Sequence, residues 1–365
     1  MTCFGLGQIA RLARLGSIAA ALLAPSLAGC GTLGPGSISR DRLAYDNMVT
    51  ESWKRQMLLN LVKLRYGDAP LFVDVTSIIN SYALEGDVTL AAQWQDGGAP
   101  DSRGAGVAAR FAEKPTITYS PMQGARFTRS LMTPLSPAIV ISLVQAGWSA
   151  DPVFRLMVTS VNGVRNRCGF GVRARAADPE FRKLIDALRR IQASGAMGMR
   201  VNRTGENEAT VVTLLSRQES ETFGEDSATV REILGVEQGL SEFQLVYGST
   251  GGPDEVAMIT RSMLEILLDV AAWGDVPELH ITEGRVAPTN RFETDERDGF
   301  RPLVNIRTSE SEPEDAFVSV PYRNHWFYVD DRDLMSKNIF TMLLIMFSLT
   351  ETDAGAAPVV TIPAN

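Results

Sequence analysis

The chain has 365 residues, 43 acids against 35 lysines and arginines, and a formal net charge of −8. That balance disfavours nucleic-acid binding by overall charge. Two histidines, three cysteines and no HExxH, paired CxxC or EF-hand loop imply neither a bound metal nor a cofactor.

The first thirty residues read as an export signal. Arg11 and Arg14 precede an apolar run of about ten residues, LGSIAAALLA, and small residues follow. The run is well short of the roughly 20 residues that a membrane-spanning helix needs. It closes on Leu27-Ala28-Gly29-Cys30, which resembles the lipobox of bacterial lipoproteins. The resemblance implies that the Cys30 sulfur takes up diacylglycerol, that the chain is cut before it, and that the new amino group is acylated, for example with palmitate. One acyl chain holds only marginally, at about 10⁴ M⁻¹, whereas two signals hold stably. Gly31 stands where lipoproteins kept in the inner membrane often carry Asp. By that sorting rule the expected address is the periplasmic face of the outer membrane, ahead of the inner membrane.

Removing residues 1–29, which carry two arginines and no acid, leaves 336 residues and a charge of −10. Cys3 departs with the signal and Cys30 becomes a thioether, so Cys168 has no partner for an intramolecular disulfide. It reads as a buried small apolar residue, with an intermolecular partner as the alternative.

Residues 30–40 read as the lipidated cysteine and a Gly/Ser/Pro tether. From residue 41 a helix is expected, with Met57, Leu58, Leu61, Val62 and Leu64 near the helical period and Gly67 and Pro70 as stops. LFVDVTSII and DVTLAAQW read as strands, QDGGAPDSRGAG as a loop, and PTITYSP as a strand. Short helices are expected around 122–133 and 137–147; residues 153–161 fit either helix or strand. An amphipathic helix follows at 178–194, with Phe181, Leu184, Ile185, Leu188 and Ile191 on one face. Further strands are expected at 198–203, 209–215, 242–247, 303–306, 316–320 and 325–329, and in PVVTIP. Further helices are expected at 226–234, 254–273 and 332–350, with 282–302 as loop. The predicted class is α+β, a mixed and largely antiparallel set of sheets packed with amphipathic helices. A boundary near residue 170 would divide the body into 41–170 and 171–365; the alternative is a single domain. FTRSLM at 127–132 and ITRSML at 259–264 suggest a duplicated unit or two unrelated helices.

Groups that could do chemistry are sparse. YGSTGG at 247–252 matches neither a nucleophile elbow nor a phosphate loop. With Pro253, Asp254 and Glu255 behind it, it reads as an ordinary helix start. In NHWFYVDDRDLMSK, residues His325, Tyr328, Asp331, Asp333 and Lys337 could line a polar cleft for acid–base work. The plainer reading makes this run a strand followed by a capped helix, because strand alternation splits the set between two faces. Residues 339–349 (IFTMLLIMFSL) are too few to span a membrane and read as a core helix.

Charge is uneven. Residues 165–203 hold ten basic residues against three acids, and 204–242 hold two against nine. Arg173, Arg175, Arg182, Lys183, Arg189 and Arg190 could form a basic patch for anionic lipid, polysaccharide or an acidic envelope partner. The alternative is mutual neutralisation of the two segments.

Three further stretches, SWKRQMLLNLVKLRYGDAP, PTITYSPMQGARFTRSLMTPL and HWFYVDDRDLMSKNIFTMLLIMFSL, resemble a group of bacterial lipoproteins with no established activity. That resemblance reinforces the lipoprotein assignment and places no residue in a catalytic role. The expected function is a non-enzymatic, membrane-anchored binding or structural component of the envelope. The alternatives are a carboxylate-using hydrolase or transferase of envelope polymers, and an accessory lipoprotein of an export assembly.

Overall fold

The computed structural model describes residues 38–79, 82–93, 102–113, 116–122, 124–171, 174–195, 197–204, 207–214, 221–237, 242–289 and 301–351. The signal, Cys30, Arg173 and the PVVTIP segment lie outside them. The chain divides into two units, Met1–Lys54 and Arg55–Asn365.

Helix α1 (Ile38–Arg65) begins three residues inside the expected tether. Its residues 38–54 belong to the first unit. There Leu43 and Met48 are exposed, and Arg42 lies 4.0 Å from Asp46 one turn on. Within the second unit the same helix is a core element, with Met57, Leu58, Leu61 and Val62 almost wholly buried. Its end is a Schellman turn: Gly67, at φ 73°, donates to Leu64 O, and Asp68 N donates to Lys63 O.

Two polar residues on this helix hold the chain that follows. Asn60 pairs with the backbone of Leu71 through both amide groups, at 2.8 and 2.9 Å, and Gln56 does the same with Val73, at 3.0 and 2.6 Å. They fix the root of a two-stranded ribbon. In it β1 (Val73–Ile79) and β2 (Tyr82–Gln93) run out, while β3 (Ser102–Glu113) and β4 (Thr116–Pro121) return. β1 pairs with β4 and β2 with β3, both antiparallel. Part of the expected glycine-rich loop is thus strand: Ser102–Gly106 face Gln93–Thr89. Alternation of small residues with Arg103 carries no strand signal by propensity, and the pairing decides it.

Short helices α2 (Ala125–Met132), α3 (Pro137–Gln145) and α4 (Ala150–Met157) follow, and α4 runs directly into β5 (Val158–Val161) and β6 (Val164–Arg165). The ambiguous 153–161 stretch is therefore both helix and strand. Next come α5 (Pro179–Ala193), β7 (Met197–Thr204), β8 (Asn207–Leu214), α6 (Glu221–Leu234), β9 (Glu242–Tyr247) and β10 (Glu255–Thr260). These strands form one six-stranded sheet in the order β6-β5-β10-β9-β8-β7, antiparallel except for β9 and β10. It joins strands from both sides of residue 170.

The helix expected over 254–273 is corrected by β10. Val256, Ala257 and Met258 are buried between β5 and β9, and a continuous apolar run of this kind reads alike as strand or helix. YGSTGG is accordingly a turn between parallel strands. A Cβ at Gly251 would lie 2.6 Å from Glu255 O, and Gly252 N donates to the Glu255 carboxylate at 2.9 Å. The helix itself starts later, as α7 (Met263–Ala271), with a Ser262/Glu265 capping box. FTRSLM is wholly helical, while ITRSML crosses from β10 into α7, so the two segments coincide only in their last two, helical residues.

The chain ends with α8 (Glu278–Thr282), the small sheet β11 (Arg307–Ser309), β12 (Ala316–Tyr322) and β13 (His325–Asp330), and helix α9 (Leu334–Glu351). Residues 303–306 form no strand, although Leu303, Val304 and Ile306 are buried. The fold is α+β. Its core runs from α1 through α3–α5 and α7 to α9, where Phe72 stacks on Phe347 at 4.3 Å.

Candidate functional site

Both histidines of the chain meet in one cluster. The Schellman turn after α1 sets Tyr66 and Asp68 beside the β12–β13 hairpin, whose two-residue turn, Arg323 (φ 48°) and Asn324 (φ 64°), has the left-handed backbone that matches strand twist. Short helix α8 brings in His280. The Tyr66 hydroxyl and His280 Nδ1 share a 2.7 Å hydrogen bond. The His280 and His325 rings are 5.0 Å apart, edge to face. Tyr322 and Phe327 lie 5.4 and 6.0 Å from the Tyr66 ring. The Arg323 guanidinium sits 4.8 Å over Tyr66 and reaches Asp68 at 2.9 Å, while Tyr322 donates to the same carboxylate. Arg65 braces the neighbouring loop, bonding Gly274 O at 3.3 Å and Ala287 O at 2.8 Å.

Environment sets the protonation states. Burial, with help from His325 and Arg285, pushes the His280 imidazole below its ordinary value of 6.5. Burial raises the Tyr66 phenol, against the pull of Arg323 and Arg65. The hydrogen bond from Tyr322 lowers the Asp68 carboxyl, and Arg323 adds to the effect. The cluster therefore holds a neutral imidazole against a protonated phenol, with one ion pair at its rim. Both shifts keep the proton on Tyr66, which donates to His280 Nδ1. Both residues are buried, at 8% and 3% exposure, so the geometry suits a tie between α1, α8 and the β12–β13 hairpin.

The residues singled out as a polar cleft divide. His325 enters this cluster at the start of β13. Asp331 and Lys337 pair at 2.7 Å beyond the far end of the strand, and Asp333 accepts from Ser336 N at 3.1 Å at the N-terminus of α9. Tyr328 sits mid-strand, opposite Ser319 and Arg307. Sequence reasoning missed Tyr66, His280, Tyr322, Arg323 and Asp68. His325 stands in the Arg-bearing turn YRNH, but His280 lies 45 positions before it and Tyr66 a further 214, so no local signal joins them.

The basic segment is largely engaged. Arg190 makes a bidentate pair with Asp226 of the acidic segment, at 2.6 to 3.0 Å. Arg175 Nε donates to Asn166 O, Arg189 lies 3.7 Å from Asp186, and Arg182 and Lys183 lie along α5. Cys168 is half-buried, and its backbone bridges Arg175.

Two cavities lie among the described residues. One of about 20 Å³ adjoins the buried Asp269 and Arg167 and the half-buried Trp273, room for a single water. One of about 50 Å³ is wholly apolar, between Phe154, Leu188, Leu234, Phe243 and Met258. Among the described residues no three His, Cys, Asp or Glu side chains gather as a metal-holding group, and no helix is long and apolar enough to cross a membrane. Comparison with protein-family models, curated proteins and solved structures finds no match.

Proposed function

We propose that this chain is a bacterial lipoprotein, moored by acyl chains on Cys30 to the periplasmic face of the outer membrane, which works there as a non-enzymatic binding or structural component. The single observation that carries the reading is Leu27-Ala28-Gly29-Cys30 behind a charged, ten-residue apolar leader. The side-chain chemistry lends it support. Asp178, Asp226, Asp269, Asp330 and Asp331 each face a guanidinium or ammonium within 3.3 Å, a pattern of structural pairing rather than of poised acid and base. The second reading, an accessory role in an export assembly, is favoured by the extended β1–β4 ribbon.

The test is Cys30→Ser in cells producing the full chain with its signal. The variant is expected to lose incorporation of labelled palmitate and to leave the membrane fraction. A variant that still labels and still sediments with membranes overturns the reading.

A further inference from the structure

We propose, resting on the lipoprotein reading, that the β2–β3 hairpin enters the hydrocarbon of the outer membrane as two strands of a barrel closed by further copies of this chain. The register sorts its residues into two faces. One carries the opposed pairs Leu84–Phe111, Val88–Val107 and Leu90–Ala105. The only charges on that face within β2 and β3 are Glu113, opposite Tyr82, and Arg103, opposite Ala92, one at each end. The other face opposes Glu85 to Arg110 and includes Asp87 and Thr89. Alternation over strands of this length, apolar outward and polar inward, is the pattern of a transmembrane β-strand.

The dimensions agree. Tyr82 to Ala92 is ten steps of about 3.4 Å, and a tilt of about 40° reduces that to roughly 26 Å, against an apolar band of about 25 Å in outer-membrane barrels. Aromatic residues belong at the interface, and Tyr82 stands at the root end of this face, with exposed Tyr119 on β4 nearer the body. The lipid anchor then holds the hairpin at high effective concentration beside the bilayer it would enter.

Copies of the chain follow from the edges. The β2–β3 sheet has two strands, so among the described residues each has one edge with no strand beside it, whereas β8 of the β7–β8 hairpin is continued by β9. Hydrocarbon tolerates no open strand edge. The β3 edge of one copy can pair with the β2 edge of the next, antiparallel, in a head-to-tail contact that repeats until the ring closes. Gln56 and Asn60 fix the root of each ribbon to its own body, so the bodies form a ring beneath the strands.

The experiment uses the full chain with its signal, in a Cys168→Ala background, in native membranes. Single cysteines replace Val88 and Leu90 on one face, and Asp87 and Thr89 on the other. Each carries a fluorophore challenged with iodide in water and with a quencher on lipid chains. The expected result is alternation: lipid quenching with loss of iodide quenching at 88 and 90, and the reverse at 87 and 89, together with a crosslinked ladder of copies that Val88→Arg abolishes. Iodide quenching at all four positions on a protein that still incorporates palmitate overturns the inserted hairpin and leaves the anchor standing. Absence of palmitate marks failure of the lipoprotein reading instead. Alternation with monomers alone after crosslinking overturns closure by copies.

Discussion

His280 shows how one residue's surroundings become a pH response. Burial, His325, Arg285 and Arg323 all lower its pKa, with only Glu283 opposing, so the folded imidazole releases its proton below the free value of 6.5. The unfolded chain binds that proton first as pH falls. The stabilisation is complete above about pH 6.5, declines through the interval down to the lower folded value, and is flat below it. Urea midpoints of the native protein are expected to fall on acidification from about pH 7.5 to 5.5, and His280→Gln is expected to flatten that slope. An unchanged slope in the variant would refute the assignment. The histidine pair was not legible in the sequence. Forty-five positions separate the two residues, and only the Arg323–Asn324 turn and the placing of α8 bring them to 5.0 Å.

At the scale of elements, the most consequential joint lies between β10 and α7. Arg261 leaves the strand 3% exposed and spans 2.9 Å to Asp269 on the helix, while Gly169 N donates to the other carboxylate oxygen at 2.7 Å. The packing is tight enough that a Cβ at Gly169 would lie 3.2 Å from Asp269, Arg167 and Trp273 alike. Removing one partner of a buried pair strands the other, so Asp269→Ala is expected to cost about 3–5 kcal/mol in denaturant unfolding. A cost under about 1 kcal/mol would show the pair to be solvated rather than buried. Elements with strong periodicity were legible beforehand: the stripe of Phe181, Leu184, Leu188 and Ile191 defines α5, and Gly67 ends α1 as expected. β10 was not, because a short run buried on both faces has no period to distinguish strand from helix. β3 was hidden differently: its small residues acquire meaning only from the register against β2.

At the scale of the whole molecule, opposite charge in adjoining segments resolves into contact between α5 and α6, where Arg190 meets Asp226. The candidate basic patch is in that part neutralised within the fold. The proposed role rests on features at two scales: a four-residue motif legible in sequence, and a ribbon whose two faces are sorted only once its strands are paired. The most direct test of the lipoprotein reading is mass spectrometry of the N-terminal peptide from protein purified out of native membranes. The expected species begins at Cys30 and carries diacylglycerol on the sulfur and an acyl chain on the amino group. An unmodified peptide that retains residues upstream of Cys30 would contradict it.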